Sequence, residues 1–116
     1  GNVAGTKLAE LLPLAMKRGI GQGSRIRLED AGRDVLGHIE WQSCPPYDFN
    51  LAEARPGAEV WARSEDDSPL MAAWAYGRGQ VMAIAVDCFG YGSYGTFLRW
   101  PGVSAMVRQA VLHLGG

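Results

Sequence analysis

The chain has 116 residues, of which 47% are hydrophobic, so it is long enough to form one domain with a buried core. Its formal net charge is −1, from 11 basic and 12 acidic residues mixed along the sequence, which argues against nucleic-acid and anionic-membrane partners. No apolar run approaches the roughly 20 residues of a membrane-spanning helix, and no signal-peptide pattern is visible. We therefore predict a single domain over residues 1–116 of a soluble, cytoplasmic protein.

The first predicted element is a short helix near the start of the chain. Thr6 is a suitable N-cap, and Pro13 disturbs the hydrogen bonds that would continue the helix. The apolar face of this helix would consist of Leu8, Leu11, Leu12 and Ala15.

The next part of the chain is predicted to hold one strand between two connections. The glycine-rich stretch from Gly19 to Gly23 is typical of a loop, and Arg25 to Leu28 alternate as a half-buried strand does, with Ile26 and Leu28 inward. The prolines of Cys44-Pro45-Pro46 disfavour regular structure because they lack an amide hydrogen. We therefore predict a long surface connection from Gln42 to Pro56. Such a loop is either functional or packed by its own aromatic residues, and we favour packing by Trp41, Tyr47 and Phe49.

The clearest local pattern is a series of strand-like runs in the second half of the chain. The runs are Ala58 to Arg63, Leu70 to Tyr76 and Gln80 to Val86. Gly77-Arg78-Gly79 joins the last two as an antiparallel hairpin, because glycine accepts the positive φ of a tight reversal. The continuous apolarity from Val81 to Val86 predicts a strand that is covered on both faces.

A helix at the C-terminal end would provide that cover. Pro101 and Gly102 are start signals, and the apolar residues that follow repeat at helical spacing. We expect Val107→Asp to unfold this end of the domain. The predicted fold class is α/β, with a C-terminal antiparallel hairpin and a packing C-terminal helix. The apolar stripe of the helix consists of Val103, Met106, Val107, Ala110, Val111 and Leu114.

Several stretches, taken in order, resemble a known family. They are Gly5 to Pro13, Trp41 to Asn50 with its Cys-Pro-Pro core, Pro56 to Val60, Pro69-Leu70-Met71, Tyr76 to Val81, Asp87, and Arg99-Trp100-Pro101-Gly102. In that order they resemble the C-terminal part of the glutamine amidotransferase-like family, of the class I amidotransferase type. The resemblance implies a flavodoxin-like, layered α/β domain.

The resemblance also bears on catalysis. In amidotransferases of this class the nucleophilic cysteine stands on a strand-to-helix elbow, a position that would precede this chain, and Asn2 to Gly5 look like the loop after it. Asp87 matches the strand-end acid of the family, whereas Arg33-Asp34 and Ser93-Tyr94 stand where relatives tend to show His-Pro and His-Trp. The resemblance therefore implies a non-catalytic module that binds an unknown small molecule or protein.

Two alternative functions remain open. In the first, the chain is part of a glutamine amidotransferase-type hydrolase whose nucleophile lies outside it. In the second, the chain is a structural unit that self-associates. The second alternative predicts a homo-oligomer formed through exposed strand edges.

The cysteines and histidines give no complete catalytic pair in the sequence. Cys44 has no obvious base beside it, and the carboxylate of Asp87 would raise the pKa of the Cys88 thiol. We interpret His113 as a solvated residue at a helix end and His38 as a structural residue in an edge strand. We therefore predict no catalytic residue.

The most site-like region is the loop from Phe89 to Thr96, which leaves the end of a strand and leads toward a helix. It contains no GxGxxG or P-loop pattern, and the alternative interpretation of Tyr91 and Tyr94 is that they are aromatic plugs. The run Glu65-Asp66-Asp67 is interpreted as a solvated turn, and neither a metal nor a cofactor is predicted. The candidate ligand-loop residues are Asp87, Cys88, Tyr91, Ser93 and Tyr94.

Overall fold

The computed structural model describes residues 10–86 and 101–115, and these residues form antiparallel sheets with helices beside them. The strands are β1 (Leu14–Gly23), β2 (Ile26–Leu28), β3 (Tyr47–Ala54), β4 (Glu59–Ser64), β5 (Pro69–Tyr76) and β6 (Gly79–Ile84). The helices are α1 (Asp30–Leu36) and α2 (Pro101–Gly115), and a short 3-10 turn covers Trp41–Ser43. The predicted α/β class, with its C-terminal hairpin and helix, is confirmed.

Strand β3 connects the two sheets of the fold. Strands β1 and β3 form a two-stranded antiparallel ribbon, and a separate sheet has the order β2-β4-β5-β6, also with antiparallel pairs. An isolated bridge pairs Phe49 of β3 with Val86, and the Asn50 amide donates a hydrogen bond of 2.9 Å to the Ala85 carbonyl. The ribbon is therefore joined to the larger sheet just beyond the end of β6.

The prediction of a loop from Gly19 to Gly23 is wrong, because this stretch is the second half of β1. Its glycines are required by aromatic neighbours on β3: Gly21 is paired with Phe49, and Gly23 with Tyr47. A Cβ atom at either glycine would overlap the opposite ring. The two rings therefore lie over the glycine backbone, which is why a strand here contains residues that usually indicate a loop.

The predicted surface connection from Gln42 to Pro56 is also wrong, since most of it is β3. The prolines prevent regular structure only before Tyr47, and the residues after them alternate between the core and the opposite face. Tyr47 is 0% exposed and Phe49 1%, with ring centroids 5.9 Å apart. Packing by these aromatic residues is confirmed, but it belongs to the main core and not to a self-packed loop.

Helix α1 is an element that the sequence patterns do not predict. Gly32 lets it lie close to β4, because a Cβ atom there would overlap the backbone carbonyl of Trp61. The Glu29 amide donates a hydrogen bond of 2.9 Å to the same carbonyl. His38, predicted in an edge strand, lies instead in the exposed turn that follows α1.

The predicted β5–β6 hairpin is confirmed, with Tyr76 paired to Gly79 and Gly77 at φ +59°. The prediction that the third run is covered on both faces holds only for its second half. Val81 and Met82 are half-buried, whereas Ala85 and Val86 are buried. Cover increases toward the point where β3 joins the sheet.

Small residues allow the ribbon to approach the larger sheet closely. Alanines of β3, β5 and β6, with Ala85, pack in one cluster around Leu14 of β1. A second and larger cluster is formed where the helices and the aromatic residues of β3 meet the sheet. The large cluster includes Leu36, Tyr47, Phe49, Trp61, Met71, Met106 and Ala110.

Helix α2 buries only part of its predicted stripe. Met106 and Ala110 are each 1% exposed, whereas Val107 is 44% and Val111 61% exposed. The apolar stripe is wider than the surface that α1 and β6 offer it, so Val107 does not lie in the core. The expectation that Val107→Asp unfolds this end of the domain therefore loses its basis, because the side chain is not buried.

The predicted first helix lies mostly outside the described residues. Within them, Ala15 belongs to β1 and not to a helix face. The strand begins at Leu14, directly after Pro13. None of the described helices is long and apolar enough to cross a membrane.

The glycine–aromatic contacts of the ribbon give a testable prediction. Gly21→Ala forces the Phe49 ring out of its place, and we expect it to lower the free energy of unfolding by about 1–3 kcal/mol. Gly79→Ala is the matched control, because a Cβ atom there meets no atom within 4 Å. Urea unfolding followed by circular dichroism measures both variants. Equal stability of the two would contradict the contact described here.

Candidate functional site

The predicted ligand-loop residues Asp87, Cys88, Tyr91, Ser93 and Tyr94 lie outside the described residues. The structure does describe the point from which the chain enters this loop. Val86 is bridged to Phe49 near the start of β3, and the neighbouring end of β1 is paired there through Gly23 and Tyr47. The candidate site is therefore this end of the sheets, where β1 ends and β3 begins.

A surface cleft of about 430 Å³ lies at this end and is lined by Ser24, Arg25, Ile26, Trp41 and Gln42. Trp41 is half-buried, and its indole Nε1 donates a hydrogen bond of 2.9 Å to the Leu36 carbonyl. Arg25 and Gln42 are exposed. The cleft thus combines a fixed aromatic ring with the cationic and amide groups that commonly orient ligands.

Glu65 fixes the wall of the cleft. Its carboxylate accepts hydrogen bonds from the Ser24 amide at 3.0 Å, the Arg25 amide at 3.2 Å and the Ser24 hydroxyl at 2.7 Å. The Ser24 hydroxyl contributes most to lowering the pKa of Glu65, because it stabilises the ionised carboxylate. The predicted turn at Glu65-Asp66-Asp67 is confirmed, and its first residue has this additional positioning role.

Tyr47 ties the buried side of this region to β3. The side chain is fully buried, and its hydroxyl donates a hydrogen bond to the Arg25 carbonyl. Burial is the main cause that raises the pKa of Tyr47, so the hydroxyl stays protonated and keeps its role as donor. The backbone of Arg25 is therefore held at its carbonyl by Tyr47 and at its amide by Glu65.

Cys44 lies between Trp41 and β3, but its thiol is not activated. The residue is 8% exposed, and its Sγ lies 3.3 Å from the Pro45 carbonyl, to which the thiol donates. Burial, and then the negative charge of Glu65, raise the pKa of Cys44 to about 12. The thiol is protonated at neutral pH and lacks the thiolate that covalent catalysis requires.

Asp48 follows Tyr47 in β3. One of its carboxylate oxygens, Oδ1, is buried with no hydrogen-bond partner. No group of three or more His, Cys, Asp or Glu side chains among residues 10–86 and 101–115 is placed to hold a metal ion. The described part of the site therefore offers groups for recognition and no metal cluster.

His113 lies away from the predicted ligand loop in sequence and belongs to the last turn of α2. It is exposed, as predicted, and its ring also contacts Trp61 edge-on, with ring centroids 5.4 Å apart.

A second, more open cleft of about 680 Å³ lies between the C-terminal end of α2 and the β5–β6 hairpin. Arg78 and His113 are among its lining residues.

Comparisons with known proteins give the fold of the chain. No protein-family model and no curated protein matches it. Two solved structures are similar: the cytoplasmic protein STM1381 from Salmonella typhimurium LT2, at 24% identity and a TM-score of 0.79, and the cytoplasmic protein STM3548 from Salmonella typhimurium, at 23% identity and a TM-score of 0.73. They cover 97% and 95% of this chain, which spans 47% and 46% of theirs. The chain therefore has the fold of about half of each of these proteins.

The environment of Cys44 predicts its chemical behaviour. With a pKa of about 12, against an ordinary value of 9.0, the folded thiol should react with iodoacetamide far more slowly than the unfolded thiol at pH 8. The raised pKa also makes the stability of the fold depend on pH. Because the unfolded thiol ionises at a lower pH than the folded thiol, the contribution of Cys44 to stability is full below pH 9 and is lost as pH rises toward 12.

Peptide mass spectrometry separates Cys44 from Cys88 in this labelling experiment. The control is the same reaction in denaturant, where Cys44 should label readily. Equal rates for folded and denatured Cys44 at pH 8 would show that the thiol is accessible and ionisable.

Proposed function

We propose that this chain is a non-catalytic, amidotransferase-like α/β module that acts by binding a ligand at the cleft between Arg25 and Trp41. The observation that carries the proposal is the set of chemical groups at this end of the sheets. It presents a guanidinium, an amide and a fixed indole ring at a concave surface, while its thiol, Cys44, is buried and protonated. These groups favour recognition over covalent chemistry.

The family assignment is part of the proposal and rests on the order of the sequence motifs. One of them, Tyr76 to Val81, forms the β5–β6 hairpin, and another, Trp41 to Asn50, forms the cleft wall and the start of β3. A flavodoxin-like parent domain is the corresponding proposal for the fold. A cytoplasmic location is proposed as well, in keeping with the names of the two structurally similar proteins.

A second candidate function is part of a glutamine amidotransferase-type hydrolase whose nucleophile lies outside this chain. It is favoured by one observation, that the similar proteins are about twice as long as this chain. In that case the cleft would help to hold a substrate that another segment attacks. The two functions differ in whether any thiol of this chain reacts as a nucleophile.

Amide NMR with a set of small carboxylates, carboxamides and heteroaromatic rings tests the binding function. We expect the best probe to shift the amide signals of Ser24, Arg25 and Gln42. Arg25→Gln should weaken its binding by about tenfold or more, because a charged hydrogen-bond donor is lost. Arg18→Gln is the matched control, since Arg18 is exposed on β1 and does not line the cleft.

The same protein can be treated with azaserine, an electrophilic analogue of glutamine. We expect no stoichiometric labelling of the folded chain. Stoichiometric labelling of Cys44 or Cys88 would contradict the non-catalytic assignment and favour the hydrolase. Probe-induced shifts confined to other surfaces would instead contradict the assignment of the cleft.

A further inference from the structure

Arg25 lines the cleft from the short connection between β1 and β2. Strand β1 ends at Gly23 and β2 begins at Ile26, so this connection consists of Ser24 and Arg25. A residue in such a connection lies outside the regular ladder of hydrogen bonds that fixes a residue within a sheet. The position of Arg25 therefore depends on the bonds that its own backbone groups make.

Two side chains from distant parts of the sequence make those bonds. The Arg25 amide donates a hydrogen bond of 3.2 Å to Glu65, and the Arg25 carbonyl accepts one from the Tyr47 hydroxyl. Glu65 also accepts hydrogen bonds from the amide and the hydroxyl of Ser24, so both of its carboxylate oxygens are used. Neither Tyr47 nor Glu65 is among the described residues that line the cleft. Their influence on the geometry of the cleft therefore passes through the residues that they hold.

The two anchoring side chains are kept in the protonation states that these bonds require. Tyr47 must be protonated to donate, and burial, followed by the negative charge of Glu65, raises the pKa of its hydroxyl. Glu65 must be ionised to accept on both oxygens, and the Ser24 hydroxyl is the largest cause that lowers its pKa. At neutral pH both anchors can therefore act at the same time.

We propose that Tyr47 and Glu65 act together as positioning residues for Arg25, and that the affinity of the cleft for an anionic ligand depends on both of them. This inference rests on the proposed function and adds the chemical class of the ligand. None of the ion pairs between described residues involves the Arg25 guanidinium. A carboxylate is the ligand group that a guanidinium binds well, through charge-assisted hydrogen bonds.

Titration of the full chain with benzoate, followed by amide NMR, separates positioning from simple charge. Glu65→Gln removes a negative charge near Arg25, and charge alone would strengthen the binding of an anion. Positioning predicts the opposite, a loss of about tenfold, because one of the two oxygens that hold Ser24 and Arg25 is replaced by an amide nitrogen. Asp67→Asn is the matched control. It removes the same charge from the same turn, but Asp67 pairs with Arg27 and should leave benzoate binding unweakened.

A double-mutant cycle gives a second measurement. In the unmodified chain we expect Arg25→Gln to weaken benzoate binding by about tenfold. In the Glu65→Gln and Tyr47→Phe variants the same change should cost clearly less, since two changes that act on one contact are not additive. Urea unfolding first establishes that each variant is folded, and Glu65→Gln with its control decides alone if Tyr47→Phe is not.

Amide exchange with water, measured without benzoate, tests the anchoring itself. The Ser24 and Arg25 amides should exchange about tenfold faster in Glu65→Gln than in Asp67→Asn, because only the first change removes an acceptor from them. Equal exchange in the two variants, tighter benzoate binding by Glu65→Gln, or a full Arg25→Gln effect in both backgrounds would overturn the positioning role and leave the proposed function standing. Benzoate binding that Arg25→Gln leaves unchanged in the otherwise unmodified chain would contradict the proposed function, and this inference with it.

Discussion

The packing of Phe49 is the contact on which the rest of the structure depends. Its ring is buried over Gly21 in the ribbon, and its backbone is bridged to Val86 beyond the end of β6. A two-stranded ribbon alone is at best marginally stable in water. Because one residue contacts both sheets, the ribbon gains a core to pack against, and the larger sheet gains cover for β5 and β6. The alanines between the sheets allow this approach, since larger side chains would hold the backbones apart.

The candidate site follows from the same arrangement. The residue two positions before Phe49 is Tyr47, whose hydroxyl donates a hydrogen bond to the Arg25 carbonyl. The Arg25 amide donates a hydrogen bond to Glu65. The backbone at Arg25, which lines the cleft, is thus held in place by hydrogen bonds although it lies in the connection between β1 and β2. Its neighbour Cys44 is kept apolar and protonated by the burial that the aromatic core imposes. This end of the sheets therefore combines exposed polar groups with a buried, protonated thiol.

Sequence patterns predicted the elements whose signals are local. The β5–β6 hairpin depends on Gly77 and its flanking apolar runs, and α2 depends on apolar spacing after a proline, so both could be predicted. Strand β1 could not, because the need for Gly21 arises from a ring that is distant in sequence. The helical spacing of apolar residues also overstated how much of α2 is buried. It places Val111 on the apolar stripe, but it does not show how wide a surface of the fold packs against that stripe. The cleft brings together Arg25 and Trp41, and only the fold places such separated residues side by side.

Residue-by-residue urea unfolding, followed by amide NMR, tests most directly whether one contact unites the two sheets. Signals of Gly21 report on the ribbon and signals of Ala73 on the larger sheet. In the unmodified chain the account predicts one shared midpoint, and Phe49→Ala should lower both midpoints together by removing about 3–5 kcal/mol of stability. Separate midpoints in the unmodified chain, or a Phe49→Ala variant in which the larger sheet keeps its original midpoint, would contradict the account.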